Sequence, residues 1–314
     1  MPANTLNRRH FLRLGAVASA AALVPHWLTA QAADMVAQSR ATAAKTPITT
    51  TKLYDNLFLL QGVGGNMALQ TGPDGKILID SSYSTAVPGI LDAIKKAGEG
   101  PAYTLINTHW HFDHTDGNEA IHAAGYRILA HENTRARLSS PQTIKAFGLS
   151  LPAAPAGALP TATFGSSFHI WKNGDSLDLV HFDPAHTDSD IYIHFHKADV
   201  LHVGDTWFNG FYPFIDESSG GSIGGMIAAN VTALNIASDT TKIIPGHGPV
   251  GSKADLQRFH DVLSAIRDKV AALKAQGLTE KEAAAKKPTA EFDSVWGHGI
   301  LTPDQFVGIV YRTI

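Results

Sequence analysis

The run "NTHWHFDHTDGN" at 107–118 follows directly on the apolar stretch "YTLI", and it limits the fold more than any other segment. His109, His111, Asp113 and His114 fall within six positions there. A short apolar run ending at Asn107 reads as a buried strand, so the polar cluster sits where the chain leaves a sheet. On extended backbone, residues two apart point the same way, which aims His109 and His111 together. Once the chain turns helical, Asp113 and His114 face a second point beside the first. One loop can therefore supply two ligands to each of two cations. The chain has no cysteine, so any metal is held by nitrogen and oxygen. Disulfides and a thiol nucleophile are excluded with it. Imidazole with carboxylate suits zinc, and iron or manganese also fit.

A metal pair needs more ligands, and three other segments offer them. "DPAHTDSD" presents His186 between two apparent strands, "LHVGDTWF" presents Asp205 after a strand, and "IIPGHGPV" presents His247 between Gly246 and Gly248. Glycine beside a ligand lets the backbone turn tightly and approach the site.

The rest of the chain reads as strands near 52–61, 66–71 and 76–80, a helix near 84–97, a strand at 103–107, and helices near 115–124 and 132–147. The Pro-, Ala- and Gly-rich run 151–165 reads as a surface crossing between two halves. Strands follow near 167–171, 177–182, 190–195 and 199–203, then a helix near 223–237, a strand at 241–245 and a long helix at 252–275. Shorter helices at 279–286 and 302–311 close the chain. Strands first and helices after, twice over, predict two sheets packed face to face with helices outside.

The N-terminus reads as an address. Arg8-Arg9 precede the apolar run Leu14–Val24 and the small-residue pattern Ala30-Gln31-Ala32. That is a secretory pattern, and the apolar run is too short for a membrane span. Paired arginines with Phe11-Leu12 resemble the twin-arginine export signal. We therefore expect residues 1–32 to be a signal read by the twin-arginine machinery, cleaved after Ala32, and 33–314 to be one periplasmic domain. A net charge of −3 gives no sign of nucleic-acid binding. The expected partner is a small-molecule substrate; oligomeric state is not legible.

From about Leu53 to Ala275 the sequence resembles the metallo-β-lactamase-fold hydrolases. The motifs that carry this are the 109–114 run, the segments around His186, Asp205 and His247, and "KILID" ending at Asp80. The resemblance implies an α/β fold, a four-layer αβ/βα sandwich with mixed sheets and helices outside, and a site at one edge between the sheets. It implies that His109, His111 and His186 hold a first zinc and that Asp113, His114 and His247 hold a second, with Asp205 bridging. Asp80 would support the metal loop from behind; on spacing alone it reads equally as a strand-end turn residue.

The implied activity is binuclear zinc-dependent hydrolysis of an ester, lactone, thioester or β-lactam-like amide bond. Water activated by the metals would attack, with Asp113 orienting it and accepting its proton. No serine nucleophile is needed, and Ser166–Ser167 and Ser218–Ser219 read as loop residues. Flavodiiron relatives carry glutamate where this chain has His111, two β-lactamase subclasses need a cysteine, and the third lacks the bridging aspartate. Asp205 thus makes the site look more like glyoxalase II or the lactonases. The lactonases, however, have a tyrosine where this chain has Phe208, and no clear basic cluster marks a glutathione site. A true β-lactamase, an iron-dependent persulfide dioxygenase-like enzyme and a non-catalytic periplasmic metal or ligand binder remain alternatives.

The aromatics of "TWFNGFYPFID" (206–216), with Trp110 and Phe112, are candidates for an apolar pocket wall, about half of them being expected in the core. His122, His131, His169, His181, His194, His196, His202, His260 and His298 match no ligand position and read as structural.

Overall fold

The computed structural model describes residues 26–314. The chain runs α1 (His26–Ala43), β1 (Thr49–Tyr54), β2 (Leu57–Gln61), β3 (Met67–Gln70), β4 (Lys76–Ile79), α2 (Val87–Ala97) and β5 (Ala102–Ile106). Then come α3 (Phe112–Thr115), α4 (Asn118–Ala123), β6 (Arg127–His131), α5 (Glu132–Leu138), β7 (Gln142–Ile144), β8 (Leu149–Leu151) and β9 (Ala162–Phe164). The second half holds β10 (Ser167–Lys172), β11 (Asp175–His181), β12 (Ile191–Phe195), β13 (Val200–His202), α6 (Ile223–Ile236) and β14 (Lys242–Ile244). It closes with α7 (Lys253–Ala275), α8 (Glu280–Ala285), α9 (Asp293–Trp296) and α10 (Pro303–Thr313).

Alternation along the strands builds the layers. Leu57 and Leu59 of β2, Ile77 and Ile79 of β4 and Ile106 of β5 face Leu177, Leu179, Ile193 and Val200 across the interior. Leu60, Leu78 and Leu105 turn to the other face, where Val87, Ile90, Ile94 and Ile121 from α2 and α4 cover them. On the far side Leu201 and Ile243 meet Met226, Phe259, Leu263 and Phe306 from α6, α7 and α10. The result is the four-layer αβ/βα sandwich, with a seven-stranded sheet (β1-β2-β3-β4-β5-β6-β9) against a five-stranded one (β10 to β14 in order). Each fully buried aliphatic side chain contributes about 1.5–3 kcal/mol, so the strand ends beneath the site rest on a firm base. β4, β5 and β6 pair in parallel in one sheet, and β13 pairs with β14 in parallel in the other. Residues that leave the carboxyl ends of β4, β5, β13 and β14 meet at one edge of the sandwich.

The structure departs from the sequence reading in five places. The strand expected over 52–61 is the hairpin β1–β2, because Asp55-Asn56 forms its two-residue turn between Tyr54 and Leu57. The helix expected over 132–147 stops at Leu138, and Pro141, which cannot continue a helix, leads into the β7–β8 hairpin. The helix expected over 115–124 is the shorter α4, with a separate turn of helix, α3, ahead of it. The 151–165 crossing contains β9, which joins β6 in parallel. The fifth is α9, which the apolar pattern did not announce. Residues 1–25, with the paired arginines, lie outside the described residues, and α1 runs through position 32, where we expect cleavage. Beyond that position Val36 and Ala43 are buried against the body. Among the described residues no helix is long and apolar enough to cross a membrane.

Candidate metal centre

All seven residues expected as ligands come together at that edge. His109, His111, His186 and Asp205 form one group and Asp113, His114 and His247 another, with potential ligand atoms within 4.8 Å of one another in each. His109 and His111 extend from β5 and share a direction, as alternation requires. Asp113 and His114 sit on α3 and turn to the second group. His186 comes from the β11–β12 loop, Asp205 from the turn after β13 and His247 from the turn after β14.

Four of the five rings are held by the rear nitrogen, which leaves the other free to face the centre. The ring assignments follow from the acceptors present. His186 Nδ1 donates to the Phe214 carbonyl at 2.8 Å. His111 Nε2 donates to Asp216 Oδ2 at 3.1 Å. His114 Nδ1 donates to Asp80 Oδ2 at 2.8 Å. His109 Nδ1 donates to Thr108 Oγ1 at 3.0 Å, and that hydroxyl donates to Asp80 Oδ2 at 2.7 Å. His247 instead lies against the Phe208 ring, with centroids 5.3 Å apart and planes 18° from parallel.

Asp80 therefore braces a ring of each group, and Thr108 N also donates to its Oδ1 at 2.8 Å. It adopts φ +60°, a costly conformation for a non-glycine residue, beside two metal-loop contacts that the strained turn makes available. Of the two readings left open for Asp80, turn residue and support, the geometry contains both.

Several of the free nitrogens and oxygens converge without satisfying one another, although His247 Nε2 lies 3.2 Å from Asp113 Oδ2. Nδ1 of His111 and Nε2 of His186 lie 2.8 Å apart, two ring nitrogens whose protons are committed elsewhere. Nε2 of His109 is buried with no hydrogen-bond partner among the described residues, and so is Oδ1 of Asp205, although His114 Nε2 is 3.0 Å from it. Asp205 Oδ2 lies 3.4 Å from Nε2 of both His186 and His247 and 3.9 Å from Nε2 of His109. Buried polar groups ordinarily find partners. Atoms aimed at shared points, with lone pairs facing lone pairs, fit cations, and the nitrogen and oxygen donor set suits divalent metal.

Two glycines are required by close approach. A Cβ at Gly246 would fall 1.8 Å from Asp205 Oδ1, and one at Gly65 would fall 2.0 Å from the His114 ring.

Electrostatics follow from the packing. Burial pulls His109 well below the usual imidazole range and His186 down to about 4. Burial also pulls on His247, but Asp205 and Asp113 outweigh it and push it up to about 9. His114 is raised well above its usual range against burial by Asp205, Asp113 and Asp80. Burial raises Asp113, but His114 and His247 hold it at about 2. Asp205 is likewise held well below its usual range, against burial, by His114, His247 and His109.

Three supporting residues escaped the sequence reading. Asp216 takes His111, the Ser218 amide and hydroxyl, and the Ser219 hydroxyl at 2.7 Å, so the serines read as loop residues serve to orient it. Asp190 accepts from the amides of His186 and Thr187, each at 2.8 Å, which fixes the turn carrying His186. Burial nonetheless pushes Asp190 up to about 7. Thr108 is the third. Of the candidate pocket aromatics, Trp207 and Tyr212 are core, Tyr212 stacking on Phe306. Phe214 stacks on His111 and Phe208 on His247, so these two line the centre. The nine histidines read as structural lie outside both groups.

Residues 60–247 match the metallo-beta-lactamase superfamily. A hydroxyacylglutathione hydrolase from Polaromonas sp. is 30% identical over 146 residues, 46% of this chain and 47% of that protein. The alpha subunit of a 2,4-dinitroanisole O-demethylase from Nocardioides sp. is 28% identical over 162 residues, 48% of this chain and 44% of that protein. The matched part thus spans about half the length of these relatives. Among solved structures, a stereoselective inverting sec-alkylsulfatase from Pseudomonas sp. superposes with a TM-score of 0.65 at 18% identity, covering 90% of this chain and 52% of that one. A metallo-beta-lactamase from Pontibacter korlensis gives 0.57 at 17% identity, covering 69% and 99%. The structural likenesses bear on the fold, and the sequence match takes in the strands, turns and ligand-bearing loops from β2 to His247: the chain belongs to the metallo-beta-lactamase superfamily and has its hydrolase-type fold with a candidate metal site.

Proposed function

We propose that the chain is a binuclear zinc hydrolase acting on an ester-type bond, in an ester, lactone or thioester, of a small substrate with an apolar arm. The observation that carries this reading is the place of Asp205, whose two oxygens reach toward His186 and His247 on one side and His114 on the other. His109, His111, His186 and Asp205 would hold one ion, and Asp113, His114, His247 and the same Asp205 the other. Two such ions, when bound, lower the pKa of water to near neutrality and polarise the bond to be cleaved.

The chain's own residues supply the rest. Asp113, ionised near neutral pH and 19% exposed at the mouth of the site, accepts a hydrogen bond from the attacking water and orients it. Phe208 and Phe214 keep water from the rear of His247 and His111. Phe147, packed on Phe214 at 4.7 Å from the β7–β8 hairpin, adds an apolar surface for the substrate arm. The names of the similar proteins include a hydroxyacylglutathione hydrolase and a sec-alkylsulfatase, so the family does not by itself select the bond.

The test is a hydrolysis screen over lactones, esters, thioesters, β-lactams, phosphodiesters and alkyl sulfates, with bound metal quantified in parallel. Zinc-dependent turnover confined to the first three classes supports the reading. Turnover of β-lactams, alkyl sulfates or phosphodiesters alone, or one iron and no hydrolysis, contradicts it.

A further inference from the structure

His247 alone among the five candidate rings has an aromatic face behind it in place of a hydrogen bond. Its direction is therefore set by the backbone turn that carries it, residues 245–248. Asn66, from the turn between β2 and β3, grips that turn on both sides of His247. Its side-chain amide donates to the carbonyls of Pro245 and Gly248, each at 2.9 Å. Its backbone N–H donates to the Gly246 carbonyl at 2.7 Å. The orientation of the amide follows from its partners: Oδ1 accepts from Gln61 Nε2 at 2.8 Å, which leaves both N–H groups for the two carbonyls. The Asn66 carbonyl accepts from His202 Nε2 at 3.2 Å, so every polar atom of this buried residue has a partner.

The same β2–β3 turn reaches the other half of the second group. Gly65 N–H donates to the Asp113 carbonyl at 3.2 Å, and Gly65 lies against the His114 ring. Asp113 and His114 follow β5 of the seven-stranded sheet, whereas the His247 turn follows β14 of the five-stranded one. The other backbone hydrogen bonds of that turn stay within its own half of the molecule. Gly246 N–H donates to the Gly204 and Trp207 carbonyls, and Asn209 N–H to the His247 carbonyl. Asn66 is thus the joint that sets one half of the second group against the other. We propose that Asn66 is a positioning residue for the second metal: through the 245–248 turn, it holds His247 where a cation shared with Asp113 and His114 can be bound. The proposal rests on the reading of those three residues as a ligand set.

The test dialyses the zinc-loaded full chain against buffers of graded free zinc and counts the zinc retained per chain. Asn66→Ala leaves the buried Pro245 carbonyl without its donor, and should release the second equivalent at about tenfold higher free zinc than wild type. Retention of the first equivalent should be unchanged, and activity should fall with the second ion and return with excess zinc. Equal loosening of both equivalents, or a lower Tm with wild-type retention of both, would assign Asn66 to the fold alone and overturn the proposal. His247→Ala separates this from the reading beneath it. If that variant retains both ions as wild type does, His247 is no ligand and both fall. If it loses one ion while Asn66→Ala matches wild type, the positioning role falls alone. Should Asn66→Ala not fold, Gln61→Ala is read in its place. It frees the Asn66 amide to turn and should weaken the second equivalent a few-fold, the first unchanged. Wild-type retention there would again overturn the proposal.

Discussion

His109, His111, His186 and Asp205 are buried, whereas Asp113 and His247 keep 19% and 21% of their side chains open to solvent. The rings of the first group are fixed from behind by hydrogen bonds to Thr108, Asp216 and the Phe214 carbonyl. In the second, His114 has Asp80 behind it, but His247 has an aromatic face. Protonation divides them as well, since His186 is held near 4 and His247 near 9. The first group is therefore ready to bind a cation at neutral pH. The second is open to solvent, and there protons compete with metal.

The comparison breaks most sharply at His111. His111→Ala removes a first-group candidate ligand and leaves the buried Asp216 carboxylate with only its serine-loop donors, so metal content should drop and activity fall by about 100-fold or more. His247→Ala should instead leave one equivalent bound. Metal analysis of the two variants decides between unequal sites and a single shared one.

A pH series sharpens the same contrast. In the metal-free protein His247 has a raised pKa, so below about 9 a proton must leave before metal binds. Affinity at the second group should thus fall as pH falls, by up to about tenfold per unit or about 300-fold between pH 8.5 and 6 from His247 alone. The fall is steeper where His114, also raised, must release a proton as well. His186, lowered to about 4, imposes no such loss on the first group across that range. Calorimetry in buffers of different ionisation enthalpy should detect proton release with the second equivalent.

Smaller effects belong to the residues behind the ligands. Asp80→Ala should cost ~10–100-fold in metal affinity and affect both groups, because Asp80 braces His114 directly and His109 through Thr108. Asp216→Asn keeps an acceptor for His111 and should cost about tenfold, in the first group alone. Smaller still, Phe147→Ala should raise KM a few-fold with kcat nearly unchanged, since the ring touches Phe214 and no ligand.

What could be read from the chain, and what could not, has a physical basis. The seven candidate ligands stand at strand ends or in Gly-bearing turns, local patterns that the sequence exposes. Two sheets with helices outside were legible in the order of elements, strands first and helices after, twice over, and the four-layer sandwich in the family resemblance. Which side chains of "KILI" and "LFLL" enter which core was not, because these runs are apolar on both faces. Asp216 was not legible, because it meets His111 across 105 residues of sequence and its neighbours look like an ordinary serine loop. Asp190 and Thr108 act likewise through contacts that only the folded chain creates. The overlong helix at 132–147 came from weighting apolar spacing above Pro141, and the missed turn at Asp55-Asn56 from reading one continuous strand.

The account turns on Asp205 joining the two groups, and zinc titration of metal-free wild type and Asp205→Ser at pH 8, with hydrolysis followed in parallel, tests it most directly. Wild type should take two equivalents. The variant should keep the first, through His109, His111 and His186, and bind the second ~10–100-fold more weakly, with activity partly restored by excess zinc. Superimposable titrations and equal activity would contradict the bridge, and with it the preference for an ester-type substrate over a β-lactam.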